Sequence, residues 1–220
     1  MEAVWAVIQH VSYDGRGGIE PALRRAGLEA ADYRPFRGER LPAVSELSGL
    51  IVLGAPDGAA DADVPPHLVR ERQTIREAVQ LGIPVLGVCF GAQLLAVALG
   101  GRVLTDGPLE VGMGAATLTD AGRADPVVDT DADTVTVLHW HRDAYTLPPG
   151  AVRLATSGQG VEQAFKIGNT AYGVQFHVEI NAQLARVIAG EMPAGALPAD
   201  AVRDAASWGD GVLDRFLALR

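Results

Sequence analysis

The run Gly87-Val88-Cys89-Phe90-Gly91 sets the only cysteine of the chain between two glycines, each two residues away. At a strand-to-helix junction, G-x-C-x-G is the thiol counterpart of the nucleophile elbow, whose tight turn exposes the reactive atom. Such a turn crowds the positions at minus two and plus two, so glycine there lets strand and helix approach while the cysteine adopts a strained backbone. A sulfur at the start of a helix also meets the positive end of the helix dipole and free N–H groups, which favour the thiolate. Gln93 follows one helical turn on, where its amide faces the same pocket and suits a polar substrate. Far downstream, His177-Val178-Glu179 places a histidine and a carboxylate on one face of an extended chain, about 6.6 Å apart. That pair supplies the base and the orienting carboxylate that a thiol nucleophile needs. Taken singly, each motif also has a plain structural reading: an isolated cysteine in an apolar run is often inert core, and H-x-E is often a strand end.

The elements around these residues are those that would bring them together. Val4 to Gln9, Gly49 to Leu53 and Ile83 to Val88 are apolar runs suited to buried strands. Between and after them, Gly17 to Gly27, Pro65 to Leu81 and Phe90 to Leu99 read as helices, the first closed by Gly27. From there the texture changes to short β-rich runs at Val111 to Thr119, Thr134 to Trp140, Val152 to Thr156, Gln163 to Ile167 and Ala171 to Phe176. Helices follow at Asn181 to Glu191 and Asp200 to Leu219, the second weakened by Gly209 and Gly211. Early alternation of strand and helix predicts an α/β fold with a central mixed, mostly parallel sheet flanked by helices on both faces. Ligands in such folds gather at the carboxyl ends of the strands, where the loops after Gln9, Leu53, Val88 and Phe176 fall.

Composition narrows the function classes. With 220 residues, 48% hydrophobic and 20% charged, the chain reads as one soluble domain over 1–220 with a C-terminal helical segment from about residue 199, not as disordered or collagen-like sequence. Eighteen Lys and Arg against 27 Asp and Glu give a net charge of -9, which leaves no basic surplus for nucleic acid. A lone cysteine forms no internal disulfide, and no basic segment precedes the apolar run at Val4, so a reducing, cytoplasmic location is expected. Leu81 to Gly101 carries no charge, yet its glycines, Pro84 and Gln93 mark a buried strand and helix, not a membrane span.

Val85 to Ala96 (VLGVCFGAQLLA), with Gln175 to Glu179 (QFHVE), resembles the class I, triad-type glutamine amidotransferases, and among them the small stand-alone members labelled GMP synthase-like. Ile51 to Pro56 (IVLGAP), Gly82 to Pro84, Trp140 to Asp143 and Leu147 to Gly150 also look like landmarks of that family, so the likeness covers nearly the whole chain. The resemblance implies Cys89 as nucleophile, His177 as general base and then acid, and Glu179 as its orienter. It further implies backbone N–H groups of Gly54 and Phe90 as the oxyanion hole, and Gln93 as a contact to bound glutamine. The expected reaction is hydrolysis of the glutamine side-chain amide through a Cys89 thioester, with no cofactor. The enzyme would work alone or hand its ammonia to a synthetase made as a separate chain, since the sequence has no G-x-x-x-x-G-K-[ST] loop of its own.

Two departures bear on the substrate. Gly54-Ala55 stands where many relatives have a glycine pair, and His141-Arg142-Asp143 stands where the family often reads His-Gly-Asp near the glutamine carboxylate. His141 and Arg142 are therefore candidate substrate contacts, and the arginine offers either a narrower pocket or a cation for a different carboxylate. Two alternatives stay open: a γ-glutamyl amide or peptide hydrolase with the same triad, and a regulatory homologue without turnover. His10 lies near the same crevice and reads chiefly as a hydrogen-bonded structural residue. His139 and His141 with Asp143 have a metal-like spacing but no evident fourth ligand, so no metal is expected. The acidic stretch Asp57 to Asp63 reads as a solvated loop.

Overall fold

The computed structural model describes residues 4–11, 16–55 and 64–219. Its first half alternates strand and helix: β1 (Val4–Ile8), α1 (Ile19–Ala26), β2 (Ala30–Tyr33), β3 (Leu47–Val52), α2 (Pro66–Gln80), β4 (Val85–Val88) and α3 (Phe90–Ala98). The second half is mainly strands, with β5 (Val103–Leu104), β6 (Glu110–Leu118), α4 (Asp120–Arg123), β7 (Thr134–His141), β8 (Ala144–Tyr145), β9 (Val152–Ser157), β10 (Glu162–Ile167) and β11 (Ala171–Val174). Two helices, α5 (Ala182–Ile188) and α6 (Ala199–Leu217), follow.

Nine strands form one sheet in the order β2-β1-β3-β4-β11-β10-β9-β6-β7, and β5 pairs with β8 apart from it. From β2 to β11 the neighbours are parallel; from β11 to β7 they are antiparallel. The expected α/β architecture is thus present, and its parallel part holds the three strands read from the early apolar runs. Period-two alternation explains the layers. Along β1, Trp5 and Val7 enter the core shared with α1 and α6, while Ala6 and Ile8 enter the core shared with α2 and α3. Strands buried on both faces need apolar residues at every position, which is why these runs lack alternation in sequence.

Element ends follow local chemistry. Gly27 ends α1 in the left-handed conformation (φ 66°, ψ 30°), its N–H bonding the carbonyls of Leu23 and Arg24. Helix α6 runs through both Gly209 and Gly211 without a break. Gly209 is a packing residue: a Cβ there would lie 2.3 Å from the carbonyl oxygen of Val178, so its helix-weakening effect is the cost of close approach to the segment that carries His177 and Glu179. The edge strand β2 was not expected from the sequence, since its residues are only half-buried and Asp32 interrupts its apolar character.

The antiparallel half curls back over the parallel half. Strand β7 lies at the far edge of the sheet, yet its Leu138 carbonyl accepts the His177 N–H at 2.9 Å and its Trp140 carbonyl lies 3.7 Å from the Cys89 sulfur. No helix of the described residues is long and apolar enough to cross a membrane.

Candidate active site

Cys89 joins β4 to α3 with φ 53° and ψ -111°, a conformation that costs on the order of 1–3 kcal/mol when a β-carbon is present. The flanking glycines hold it there. A Cβ on Gly87 would lie 2.4 Å from the carbonyl oxygen of Gly91, and a Cβ on Gly91 would lie 2.0 Å from that of Val52. Only glycine at both positions lets β3, β4 and α3 meet this closely. The Cys89 N–H donates to the Val174 carbonyl of β11 at 2.8 Å, which locks the elbow to the neighbouring strand. The buried thiol donates to the Trp140 carbonyl at 3.7 Å and accepts from the Gln175 side-chain amide at 3.7 Å.

Strand β11 is the neighbour of β4, so the chain leaving it delivers His177 beside the sulfur. Its Nδ1 pairs with Glu179 Oε1 at 2.7 Å, and the ring lies close enough to the Cys89 sulfur to feel its charge. Burial opposes charge on this ring, but the Glu179 carboxylate and the Cys89 sulfur outweigh it and hold the His177 pKa well above the ordinary histidine value. The spacing of His177 and Glu179 in sequence thus becomes a direct contact with the carboxylate orienting the ring.

Gly54 sits across from both. A Cβ at that position would be 3.2 Å from His177 Cε1 and 3.6 Å from Cys89 Cβ, inside the space between sulfur and ring. Gly54 and Phe90 border a cavity of about 600 Å³ that also meets Cys89, Gln93, Arg142 and His177. Leu109, Val111, Leu184 and Ile188 give it an apolar wall. Phe90 is the first residue of α3, so its N–H has no intrahelical acceptor and is free to face this cavity.

Gln93 reaches the site, but its amide is already engaged: Nε2 donates to the Asp143 carbonyl at 3.2 Å and to Gln175 Oε1 at 3.4 Å. It therefore ties α3 to the turn after β7 as well as lining the cavity. Arg142 borders the same cavity from an exposed position. Burial and the nearby Asp106 raise the Asp143 pKa against the pull of Arg142. His141 borders the cavity too, although its ring is nearly inaccessible and is held by Glu110 at 3.2 Å. Burial, with the neighbouring His139 and His177, pushes its pKa down to about 4. The metal-like group that forms joins His139 and His141 to Glu110 and leaves Asp143 out.

His10 has the structural hydrogen bonds expected of it. Its Nδ1 lies 3.2 Å from the Leu53 carbonyl and its Nε2 lies 2.8 Å from the fully buried Glu71 carboxylate. Leu53 directly precedes Gly54, so this pair fixes the peptide beside the candidate oxyanion donor. Glu71, Gln175, Glu110 and the Trp140 carbonyl were not singled out from the sequence. For Gln175 a signal existed, since it precedes His177 by two residues in an extended segment and so shares its face. Pro56 and the acidic stretch Asp57 to Asp63 lie outside the described residues.

The family model "Glutamine amidotransferase class-I" matches residues 20–187. The chain belongs to the class I glutamine amidotransferase family. The glutamine amidotransferase-like protein YfeJ of Salmonella typhimurium is 30% identical over 186 residues, covering 80% of this chain and 75% of that protein. A glutamine-hydrolysing GMP synthase of Streptococcus pneumoniae is 36% identical over 142 residues, or 60% of this chain, and the match spans only 24% of the synthase. Among solved structures, the glutamine amidotransferase of Methylobacillus flagellatus superposes with a TM-score of 0.87 at 27% identity, over 98% of this chain and 94% of that one. One from Thermotoga maritima gives 0.85 at 27% identity over 99% of both chains.

Proposed function

We propose that this class I amidotransferase domain hydrolyses the side-chain amide of L-glutamine with Cys89, His177 and Glu179 as its triad. The observation that carries the reading is the Cys89 elbow facing a histidine whose far nitrogen is held by a carboxylate at 2.7 Å. The thiolate of Cys89 attacks the amide carbon, and the oxyanion accepts the N–H groups of Gly54 and Phe90. Each donor is worth about 3 kcal/mol in the transition state, about a hundredfold in rate. The His177 imidazolium gives its proton to the leaving nitrogen, ammonia departs and a thioester remains. Neutral His177 then takes a proton from water, the hydroxide displaces the sulfur, and glutamate leaves with the thiolate–imidazolium pair restored. Gln93 and the backbone at His141 border the space for the bound amino acid, and Arg142 offers a cation to its carboxylate. The ammonia passes to solvent or to a synthetase on a separate chain, and a reducing compartment such as the cytoplasm keeps Cys89 a free thiol.

A second reading has its own support. The cavity, with its apolar wall and exposed Arg142, is roomier than one free amino acid requires, which suits a γ-glutamyl amide or peptide whose amine portion lies against Leu184 and Ile188. Glutamate and ammonia release from L-glutamine, compared between wild type and Cys89→Ala, tests the first reading, with a glutamine-like electrophile labelling Cys89 in parallel. Release lost in the variant supports a glutaminase. Turnover of γ-glutamyl amides without turnover of glutamine favours the second reading, and a folded protein whose Cys89 resists every electrophile overturns both in favour of a regulatory homologue.

A further inference from the structure

Glu110 at the start of β6 and His141 at the end of β7 stand directly opposite in the antiparallel register, so their side chains share a face. His139, two residues earlier on β7, points the same way. One donor atom from each of the three lies within 4.8 Å of the others, and Glu110 Oε2 is 3.2 Å from His141 Nε2. All three residues are buried, at 6% to 8% exposure. Gln163 of β10 closes the group, its side-chain nitrogen 2.8 Å from Glu110 Oε2 and 3.4 Å from His141 Nε2.

The hydrogen-bond inventory of this group does not close. The contact of His141 Nε2 with the carboxylate calls for a proton on Nε2, whereas its contact with the Gln163 amide nitrogen calls for a lone pair on the same atom. The Nδ1 atoms of His139 and His141 and the Gln163 carbonyl oxygen are buried with no hydrogen-bond partner among the described residues. Unmet polar groups in such a place cost free energy. A cation that accepts lone pairs from His141 Nε2, from one nitrogen of His139 and from the carboxylate removes the conflict at Nε2. The amide of Gln163, turned over, would offer its oxygen as a fourth donor.

We propose that Glu110, His139 and His141 form a binding site for a divalent transition-metal ion of the zinc type. Two imidazoles and one carboxylate suit that class, and donors around a tetrahedral ion with bonds of 2.0–2.1 Å lie about 3.4 Å apart. The Glu110–His141 separation already matches this spacing, and His139, whose donor lies within 4.8 Å of the others, closes by up to about 1.4 Å. Trp140 lies between the two histidine ligands with its carbonyl against the Cys89 sulfur, so an ion here would pin the strand end that roofs the candidate active site.

The test uses the Cys89→Ala protein, whose missing thiol removes the competing soft ligand, and does not depend on the amidase reading. Protein produced with added zinc and dialysed is expected to retain about one equivalent of metal by mass spectrometry. Its X-ray absorption spectrum should report two imidazoles with oxygen donors. Glu110→Gln and His139→Gln should each weaken zinc binding at least tenfold while the circular dichroism spectrum is kept. Less than a tenth of an equivalent in the parent protein, a coordination shell with fewer than two imidazoles, or undiminished binding in both folded variants would overturn the proposal. If either variant fails to fold, the absorption spectrum of the parent decides.

Discussion

Replacing Gly91 by alanine tests whether backbone crowding at the elbow holds the candidate nucleophile in place. Two effects oppose each other. Alanine is the better helix former by about 1 kcal/mol in a helix interior, which favours the variant. Against it, the new methyl would sit 2.0 Å from the Val52 carbonyl oxygen, 2.6 Å from its carbon and 3.0 Å from Val52 Cβ. The first two are backbone atoms of the buried strand β3 and cannot swing aside, so α3 must move off the sheet by about an ångström. Overpacking of this kind costs about 1–3 kcal/mol and occasionally more. The clash lies at the severe end, so a net loss of about 2 kcal/mol is expected, or about 4–8 °C in Tm for a chain of this size. Gly190→Ala is the control, because a Cβ there meets nothing within 4 Å and the same substitution should be neutral or stabilise by up to about 1 kcal/mol. Urea unfolding gives both values, and labelling of Cys89 follows the site. A displacement of about an ångström should also slow labelling about a hundredfold. An unfolding midpoint for Gly91→Ala equal to or above wild type would refute the idea that β3 and α3 are locked by contact at this glycine.

Glu179→Gln removes the carboxylate that raises the His177 pKa; the imidazolium then loses its proton at lower pH, and the alkaline limb of the pH profile for Cys89 alkylation should move toward acid. An unmoved limb would show that the carboxylate does not tune the ring. Gln175→Glu exchanges an amide donor 3.7 Å from the sulfur for an acceptor of like charge to the thiolate, so alkylation at pH 7 should slow at least tenfold with the fold intact; an equal rate would mean the contact does nothing for the thiolate. His10→Phe leaves the buried Glu71 carboxylate unpaired and frees the Leu53 carbonyl, which should cost about 3–5 kcal/mol in urea unfolding; a loss under 1 kcal/mol would show that water or another group takes over.

The parallel half of the fold was legible because its signals are local. Apolar runs, a glycine stop at Gly27 and the glycines about Cys89 each act within a few residues. The antiparallel half was legible as strands but not as a roof, since nothing in Thr134 to His141 says that this edge strand curls back to meet Cys89. For the same reason Cys89, His177 and Glu179 could be picked out by type and spacing, while the Trp140 carbonyl could not: any residue type supplies a carbonyl. Glu110 escaped notice because its meeting with His139 and His141 is a matter of strand register, and the nearer Asp143 was the natural partner in sequence. Gly209 reads as a flaw in a helix until the Val178 carbonyl beneath it is known.

The curl of the sheet also makes the site depend on long-range pairing. Cys89 and His177 follow the adjacent parallel strands β4 and β11, which pair across 86 residues of chain (Val85 with Ala171), and their ceiling is β7 at the opposite edge of the sheet. Long-range pairing of that kind is slow, because the loop entropy is lost before the contacts are gained. The elbow is locked by Val174 and the roof by His177 and Leu138, so both depend on the meeting of segments far apart in sequence. In this molecule, elbow, histidine and roof are assembled by one set of distant pairings and stand or fall together.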